Sequence, residues 1–266
     1  DIIEVLKSFN LLKLLFTEVY KKIKCRMNCF TNRNRGIILD FDGTLVQTNA
    51  ASKFSLNSAK DYLVEKYNIL PATANLIVNE FVTLVNKSEK AIVYESDEDL
   101  WRKQIWQKVL IDNKAANVEI DTFYSYYKES FLELIEIKKE VKKMLKNLQN
   151  SFKIIILTNG NSQWQRKKLE KSEANKYVDD IIISGEHKIS KPDPRLFQLA
   201  CLKLGLESKQ CIMVGNNKKA DIFGGFNAGL KATIWIRDKE YDNDSIQPDY
   251  IIDDICELES VLVKIF

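Results

Sequence analysis

Cysteine, proline and glycine are all scarce in this sequence, and each scarcity narrows what the protein can be. Only five of the 266 residues are Cys, at positions 25, 29, 201, 211 and 256. They form no CxxC pair and their number is odd, which argues against a disulfide framework and for reduced thiols in a cytoplasmic setting. With four Pro and nine Gly, and no internal repeat or low-complexity tract, the composition is that of an ordinary globular chain. No run of 18 apolar residues occurs, so a membrane-crossing helix is not expected. A strong charge of one sign is missing too. The formal net charge is +3, but residues 1–35 hold eight Lys or Arg against three acids, which leaves the rest near −2. The basic excess is therefore local, and no nucleic-acid surface is expected on the remainder.

Apolar side chains in residues 2–24, from Ile2 through Phe9 and Phe16 to Ile23, recur at three- and four-residue steps. That spacing predicts an amphipathic helix in an extension over residues 1–35, packed on the domain or poorly ordered in preference to a membrane-surface anchor or a targeting peptide. Asp1 in place of a start methionine leads to the expectation of a chain that is incomplete at this end. From Thr48 to about Leu148 the pattern is helical throughout, in segments such as "SAKDYLVEKYNIL" and "EDLWRKQIWQKVL". Residues 48–148 are thus expected to form a helical bundle, with Trp101, Trp106, Phe123, Tyr124 and Phe131 as its core or the floor of a cleft. Beyond it, "FKIIILTNG", "DDIIISG", "QCIMVG" and "KATIWI" alternate with helical stretches. Continuously apolar strands between helices predict an α/β fold, a doubly wound, Rossmann-like parallel sheet covered on both faces. "GIILDFD" is its first strand, so residues 36–47 and 149–266 form the sheet domain and the helical segment is inserted after strand one. Pro248 to Asp254 is read as a last short strand and Glu257 to Phe266 as a closing helix.

In such sheets ligands sit beyond the carboxyl ends of the strands. The residues found there are Asp40 and Asp42, then Thr158-Asn159-Gly160, then Lys191-Pro192, then Gly215-Asn216 through Asp221. Asp40 and Asp42 are two apart on an extended segment, so they share a face while Phe41 turns to the core. Two carboxylates so close repel, and a divalent cation with oxygen ligands is the expected remedy. His187, the single histidine, is expected in a surface loop.

That ordered set resembles the haloacid dehalogenase superfamily, whose phosphatases carry DxDGT, a strand-ending Thr or Ser, a Lys often followed by Pro, and an acidic GDxxxxD loop. The resemblance runs from Gly36 to Ile236, and "LTNGNSQWQRKKLE" and "SKPDPRLFQLACLKLG" strengthen it. It implies a phosphoric monoester hydrolase using Mg2+ on a small phosphorylated metabolite, foremost a sugar-acid 9-phosphate, with the helical insertion as its cap. Asp40 would then be the nucleophile that forms an aspartyl-phosphate, and Asp42 the acid and base. Thr158 and Lys191 would hold the phosphoryl group, with Gly43, Asn159 and Gly160 beside it. Asp40, Asp42, Asn216 and Asp221 would surround the metal.

One position departs from the pattern. The fourth motif reads "GNNKKAD", with Asn216 in place of an acid. An amide oxygen can ligate magnesium but brings no charge, so weaker cation binding is expected. Lys218 and Lys219 in the same loop are expected to face solvent. The departure keeps two other classes open: a weak or inactive relative that retains phosphate binding, and a metal-free haloacid dehalogenase. Against the dehalogenase stands Asp42, since a leaving halide needs no proton and an alkoxide does.

Overall fold

The computed structural model describes residues 33–88 and 97–266. The extension helix expected over residues 2–24, Cys25 and Cys29 lie outside the described residues.

Six strands form one parallel sheet: β1 Gly36–Leu39, β2 Lys153–Thr158, β3 Asp180–Ile183, β4 Cys211–Gly215, β5 Ala232–Ile236 and β6 Tyr250–Ile252, in the order β3-β2-β1-β4-β5-β6. Alternate side chains of the apolar runs feed two cores. Ile37, Leu39, Ile154, Ile156, Ile212, Val214 and Ile234 face one, and Ile38, Ile155, Leu157, Ile182 and Met213 face the other. At roughly 1.5–3 kcal/mol for each fully buried aliphatic side chain, this two-sided burial holds the sheet. The expected doubly wound architecture is what the chain adopts, including the short strand near residue 250 and the helix that follows it.

Helices cover both faces. On the first lie α5 Lys139–Leu148, α6 Ser162–Lys171 and α8 Leu258–Ile265, and on the second α7 Pro194–Leu204. Local signals start them. Asn161 caps α6 by accepting from the backbone N–H of Gln163 and Trp164, and Asp193 caps α7 with Pro194 at its first position.

Between β1 and β2 the chain forms α1 Thr48–Tyr67, α2 Pro71–Ser88, α3 Glu98–Asp112 and α4 Ile120–Glu133. These four have their own core, built on Trp106, which stacks on Phe81 at 3.8 Å and meets Phe123 edge-on at 5.0 Å. The aromatic residues singled out above therefore divide. Trp106, Phe123 and Tyr124 are core of the insertion, Trp101 lines a cleft, and Phe131 borders that cleft while buried in the core of the sheet. α5 corrects the expected grouping of residues 48–148. Its Val141, Met144, Leu145 and Leu148 pack into the core of the sheet, not that of the insertion.

Register sets the strand tips level. Leu39 is paired with Ile156 of β2 and with Val214 of β4. The strand order reverses beside β1, so its carboxyl end lies at the crevice where open α/β sheets bind ligands.

Candidate active site

Asp40 follows the last residue of β1, and its backbone N–H donates to Val214 O at 2.9 Å. Its carboxylate accepts from Lys191 Nζ at 2.6 Å, and the same ammonium donates to Asp221 Oδ1 at 2.7 Å. All three side chains are buried, Asp221 completely. Lys191 is held in place by Asn159, which donates through Nδ2 to Lys191 O at 3.0 Å and accepts from Lys191 N at 2.9 Å. Asp221 sits in a π-helical turn, Lys218–Phe223, and its Oδ2 accepts from Asn217 N at 3.0 Å. A Cβ on Gly215 would lie 2.2 Å from that Oδ2, so only glycine admits the carboxylate there. Residues far apart in sequence thus converge on one ammonium.

Burial pushes the Asp40 carboxyl upward, Lys191 opposes this, and Asp221 adds to it; the result is a group raised to about 7. Lys191 is raised in turn: burial disfavours its charge, but Asp221 and Asp40 outweigh that. With both carboxyls ionised, the hub sets two negative charges against the single ammonium of Lys191.

Asp42 has a different partner. Both its oxygens accept from Lys168 Nζ, at 2.6 and 2.7 Å, and it accepts further from Thr48 Oγ1 at 2.5 Å and Gln165 Nε2 at 2.7 Å. Burial alone would raise its pKa, but Lys168 and these donors hold it below the ordinary carboxylate value. Each of the two neighbouring carboxylates thus has its own lysine, Lys191 on Asp40 and Lys168 on Asp42. Both carboxylate oxygens of Asp42 are engaged by Lys168, which leaves its backbone carbonyl as the atom it could offer a cation.

Lys168 and Gln165, both on α6 and both buried, escaped the sequence reading. Their signal was there: a Gln and a Lys three residues apart, on one helical face, just after a strand-ending Thr. Gln165 Nε2 also donates to Thr158 Oγ1 at 2.8 Å, and Thr158 is only 1% exposed. Gly160 adopts φ 134°, a backbone conformation that side-chain-bearing residues rarely take, and a Cβ there would crowd Gln165 Nε2 at 3.0 Å. Gly43, at φ 75°, shapes the turn after Asp40.

Asn216 is buried at the tip of β4. The loop lysines divide: Lys219 is exposed as expected, but Lys218 is buried, paired with Asp242 at 2.5 Å and stacked 4.3 Å from the Trp235 ring centre. Its charge is therefore spent away from Asp221 and not on solvent, because Trp235 and Asp242 offer it a complete site. His187 is exposed, as expected.

Among the described residues no cluster of three or more His, Cys, Asp or Glu forms a metal cage. The donors at the hub, the Asp40 and Asp221 carboxylates and the Asn216 amide, are all hard oxygens. Magnesium keeps several waters and takes only one or two protein carboxylates, so this set fits it, and the excess negative charge at Asp40 favours a cation.

Beside the hub opens a cleft of about 740 Å³ between the helical insertion and the sheet, with Asp42, Asn159 and Lys168 on one wall and Trp101 and Arg102 on the other. The Arg102 guanidinium lies 5.3 Å from the Trp101 ring centre and 5.6 Å from that of Trp164, and donates to Glu98 Oε1 at 2.8 and 2.9 Å. Asp99 of α3 accepts from Lys167 of α6, which ties the insertion to the sheet layer.

Residues 37–235 match the family of haloacid dehalogenase-like hydrolases. The chain belongs to that family. It is 31% identical over 239 residues to N-acylneuraminate-9-phosphatase of Homo sapiens, covering 88% of this chain and 96% of the relative. In fold it is similar to YfnB of Bacillus subtilis, solved bound to magnesium, with a TM-score of 0.62, 24% identity and coverage of 86% and 99%. It is similar as well to the 2-haloacid dehalogenase of Pseudomonas syringae pv. Tomato, with a TM-score of 0.56, 22% identity and coverage of 86% and 98%. The two solved structures share the fold alone; the relative aligned along nearly the whole chain makes this protein a phosphatase of the family.

Proposed function

We propose that the protein is a magnesium-dependent phosphomonoester hydrolase that works through an aspartyl-phosphate on Asp40, with N-acylneuraminate 9-phosphate as its substrate. The observation that carries this reading is the Lys191 ammonium bridging Asp40 and Asp221 at the strand tips, beside a cleft onto which Asp42 opens. A phosphoryl dianion brought there replaces one carboxylate as the partner of Lys191, which frees an Asp40 oxygen to attack phosphorus.

Asp40 forms the new P–O bond as the bond to the leaving alkoxide breaks, and Asp42 gives that alkoxide its proton. Water then attacks the aspartyl-phosphate, Asp42 takes a proton from it, and Asp40 is released with inorganic phosphate. The ionised Asp42 held by Lys168 is the form suited to the second step; its acid role in the first requires Lys168 to loosen as the leaving group arrives. Thr158, Gly160 and the backbone N–H groups near Gly43 border the phosphoryl site. Asp40, Asp221 and Asn216 would hold Mg2+, which when bound offsets the repulsion between the anionic nucleophile and the phosphoryl oxygens.

Residues 48–134 serve as a cap that chooses the substrate. A cleft of about 740 Å³ is of the size that encloses a sugar acid. Arg102 between two tryptophans suits a carboxylate carried by an apolar-faced ring. The free thiols of Cys201, Cys211 and Cys256 support a cytoplasmic enzyme. Among the described residues no helix is long and apolar enough to cross a membrane.

The test is release of phosphate from p-nitrophenyl phosphate as Mg2+ is titrated, followed by a panel of phosphorylated sugars and sugar acids. Saturable, magnesium-dependent release that is lost in Asp40→Asn is expected, with the sugar-acid phosphate giving the highest kcat/KM of the panel. Asn216 favours a second reading, an inactive phosphate-binding relative. Phosphate binding without release at saturating Mg2+ would establish that one instead, and metal-free halide release from a 2-chloro acid would establish a dehalogenase.

A further inference from the structure

Asn216 stands where the family's loop has an acid, yet its side chain is not idle. Nδ2 donates to Asp238 Oδ2 at 2.9 Å, and the backbone carbonyl accepts from Trp235 Nε1 at 2.7 Å. An amide has one donor end and one acceptor end, and a carboxylate can pair only with the donor end. Asp238 therefore fixes which way the amide points. Its acceptor, Oδ1, is left over: it receives no hydrogen bond among the described residues. The amide lies against the turn that follows Asp40, where a Cβ on Gly43 would come within 2.4 Å of Nδ2.

Asp238 is placed independently of Asn216. It lies two residues past the end of β5, the strand paired to β4 with Gly215 opposite Trp235. Its other oxygen, Oδ1, accepts from Glu240 N at 3.0 Å. The buried lysine of the same loop does not neutralise it, because Lys218 is paired with Asp242. A fixed carboxylate thus stands one hydrogen bond behind the position that has lost its charge.

We propose that Asp238 carries the negative charge that Asn216 lacks, acting as a positioning residue for the active-site cation: it turns Asn216 Oδ1 toward the divalent ion and supplies the missing field from the next shell out. This rests on the reading of the hub as a magnesium site. It also changes what Asn216→Asp should do. Taken alone, that substitution adds a favourable ligand; next to Asp238 it replaces a donor at 2.9 Å with a second carboxylate oxygen, and the two repel.

The experiment is isothermal titration of Mg2+ into the full, metal-free chain without substrate, with thermal melts of the same samples. The proteins are the natural chain, Asp238→Asn, Asp238→Glu, Asn216→Asp and the double variant Asn216→Asp/Asp238→Asn. Asp238→Asn, which keeps the size and the contact to Glu240 N, is expected to weaken Mg2+ binding about tenfold with an unchanged metal-free Tm, as loss of an outer-shell partner does. Asp238→Glu should lose less. Asn216→Asp alone should lower the metal-free Tm, and the double variant should restore it and bind Mg2+ at least as tightly as the natural chain. Strong non-additivity between the two sites is the signature. Unchanged affinity in Asp238→Asn, or additive effects of the two substitutions, would overturn the proposal. So would absence of Mg2+ binding by the natural chain, in which case p-nitrophenyl phosphate turnover with and without a chelator decides separately whether the phosphatase reading stands.

Discussion

At the scale of single residues, the account turns on two carboxylates that differ by their lysines. Asp40 is raised from 3.8 to about 7 and Asp42 is lowered, so they respond to pH in opposite ways. A carboxyl with a raised folded pKa adds stability below about 3.8, and that contribution is lost as pH rises through about 7. Asp40→Asn, which mimics the neutral form, should therefore melt above the natural chain by a modest margin at pH 5 and by a clearly larger one at pH 8, while turnover falls at least about 10³-fold. A Tm gap that does not widen between those pH values would contradict the burial argument. For Asp42 the sign reverses: its contribution is present above the ordinary carboxylate value and is lost as pH falls through its lowered folded pKa. Lys168→Met removes the ammonium that sets this. It should cut kcat about 10–100-fold on p-nitrophenyl phosphate and shift the acidic limb of the kcat profile upward in pH; a kcat and profile like those of the natural chain would remove Lys168 from the mechanism.

Among the elements, the loop after β4 is the most tightly constrained. Gly215→Ala would drive a methyl into the Asp221 carboxylate, so Asp221 must leave Lys191 or the π-helical turn must shift. Loss of phosphatase activity with a lowered Tm is expected, and an active, undisturbed Gly215→Ala protein would show that the Asp221–Lys191 contact is dispensable. The elements are also where sequence reading succeeded and where it stopped. Strands such as "IIIL" and "CIMVG" announce themselves because burial on both faces leaves no polar alternation, and the strand tips followed from order alone. The helix α5 was misgrouped because its amphipathic period, legible as it is, states that one face is buried and not against which core. Lys168, Gln165 and Asp238 went unnoticed for a related reason: polar and charged side chains at helical or loop positions read as solvated until a distant segment is known to approach them. Asn216 was legible as a departure, but its compensation lay 22 residues on.

For the whole molecule, the cleft lies between the insertion and the sheet, and the proposed chemistry and the proposed selectivity fall on opposite sides of it. Asp40, Lys191 and Asp221 belong to the sheet; Trp101 and Arg102 belong to the insertion. Arg102→Lys keeps the charge but loses the planar fork and its stacking between Trp101 and Trp164. It should raise KM for a sugar-acid phosphate about tenfold and leave p-nitrophenyl phosphate kinetics nearly unchanged. Equal losses on both substrates would place Arg102 in the fold and not in recognition.

The central claim is that Asp40, poised against Lys191, takes the phosphoryl group onto its own carboxylate. Acid quenching during turnover, followed by mass analysis of the peptide that spans residues 36–46, tests it directly. The account predicts a phosphoryl group on Asp40 that appears with substrate and Mg2+, disappears as substrate is exhausted, and is absent from Asp40→Asn. Steady phosphate release with no phosphoryl group on Asp40 at any time would contradict it.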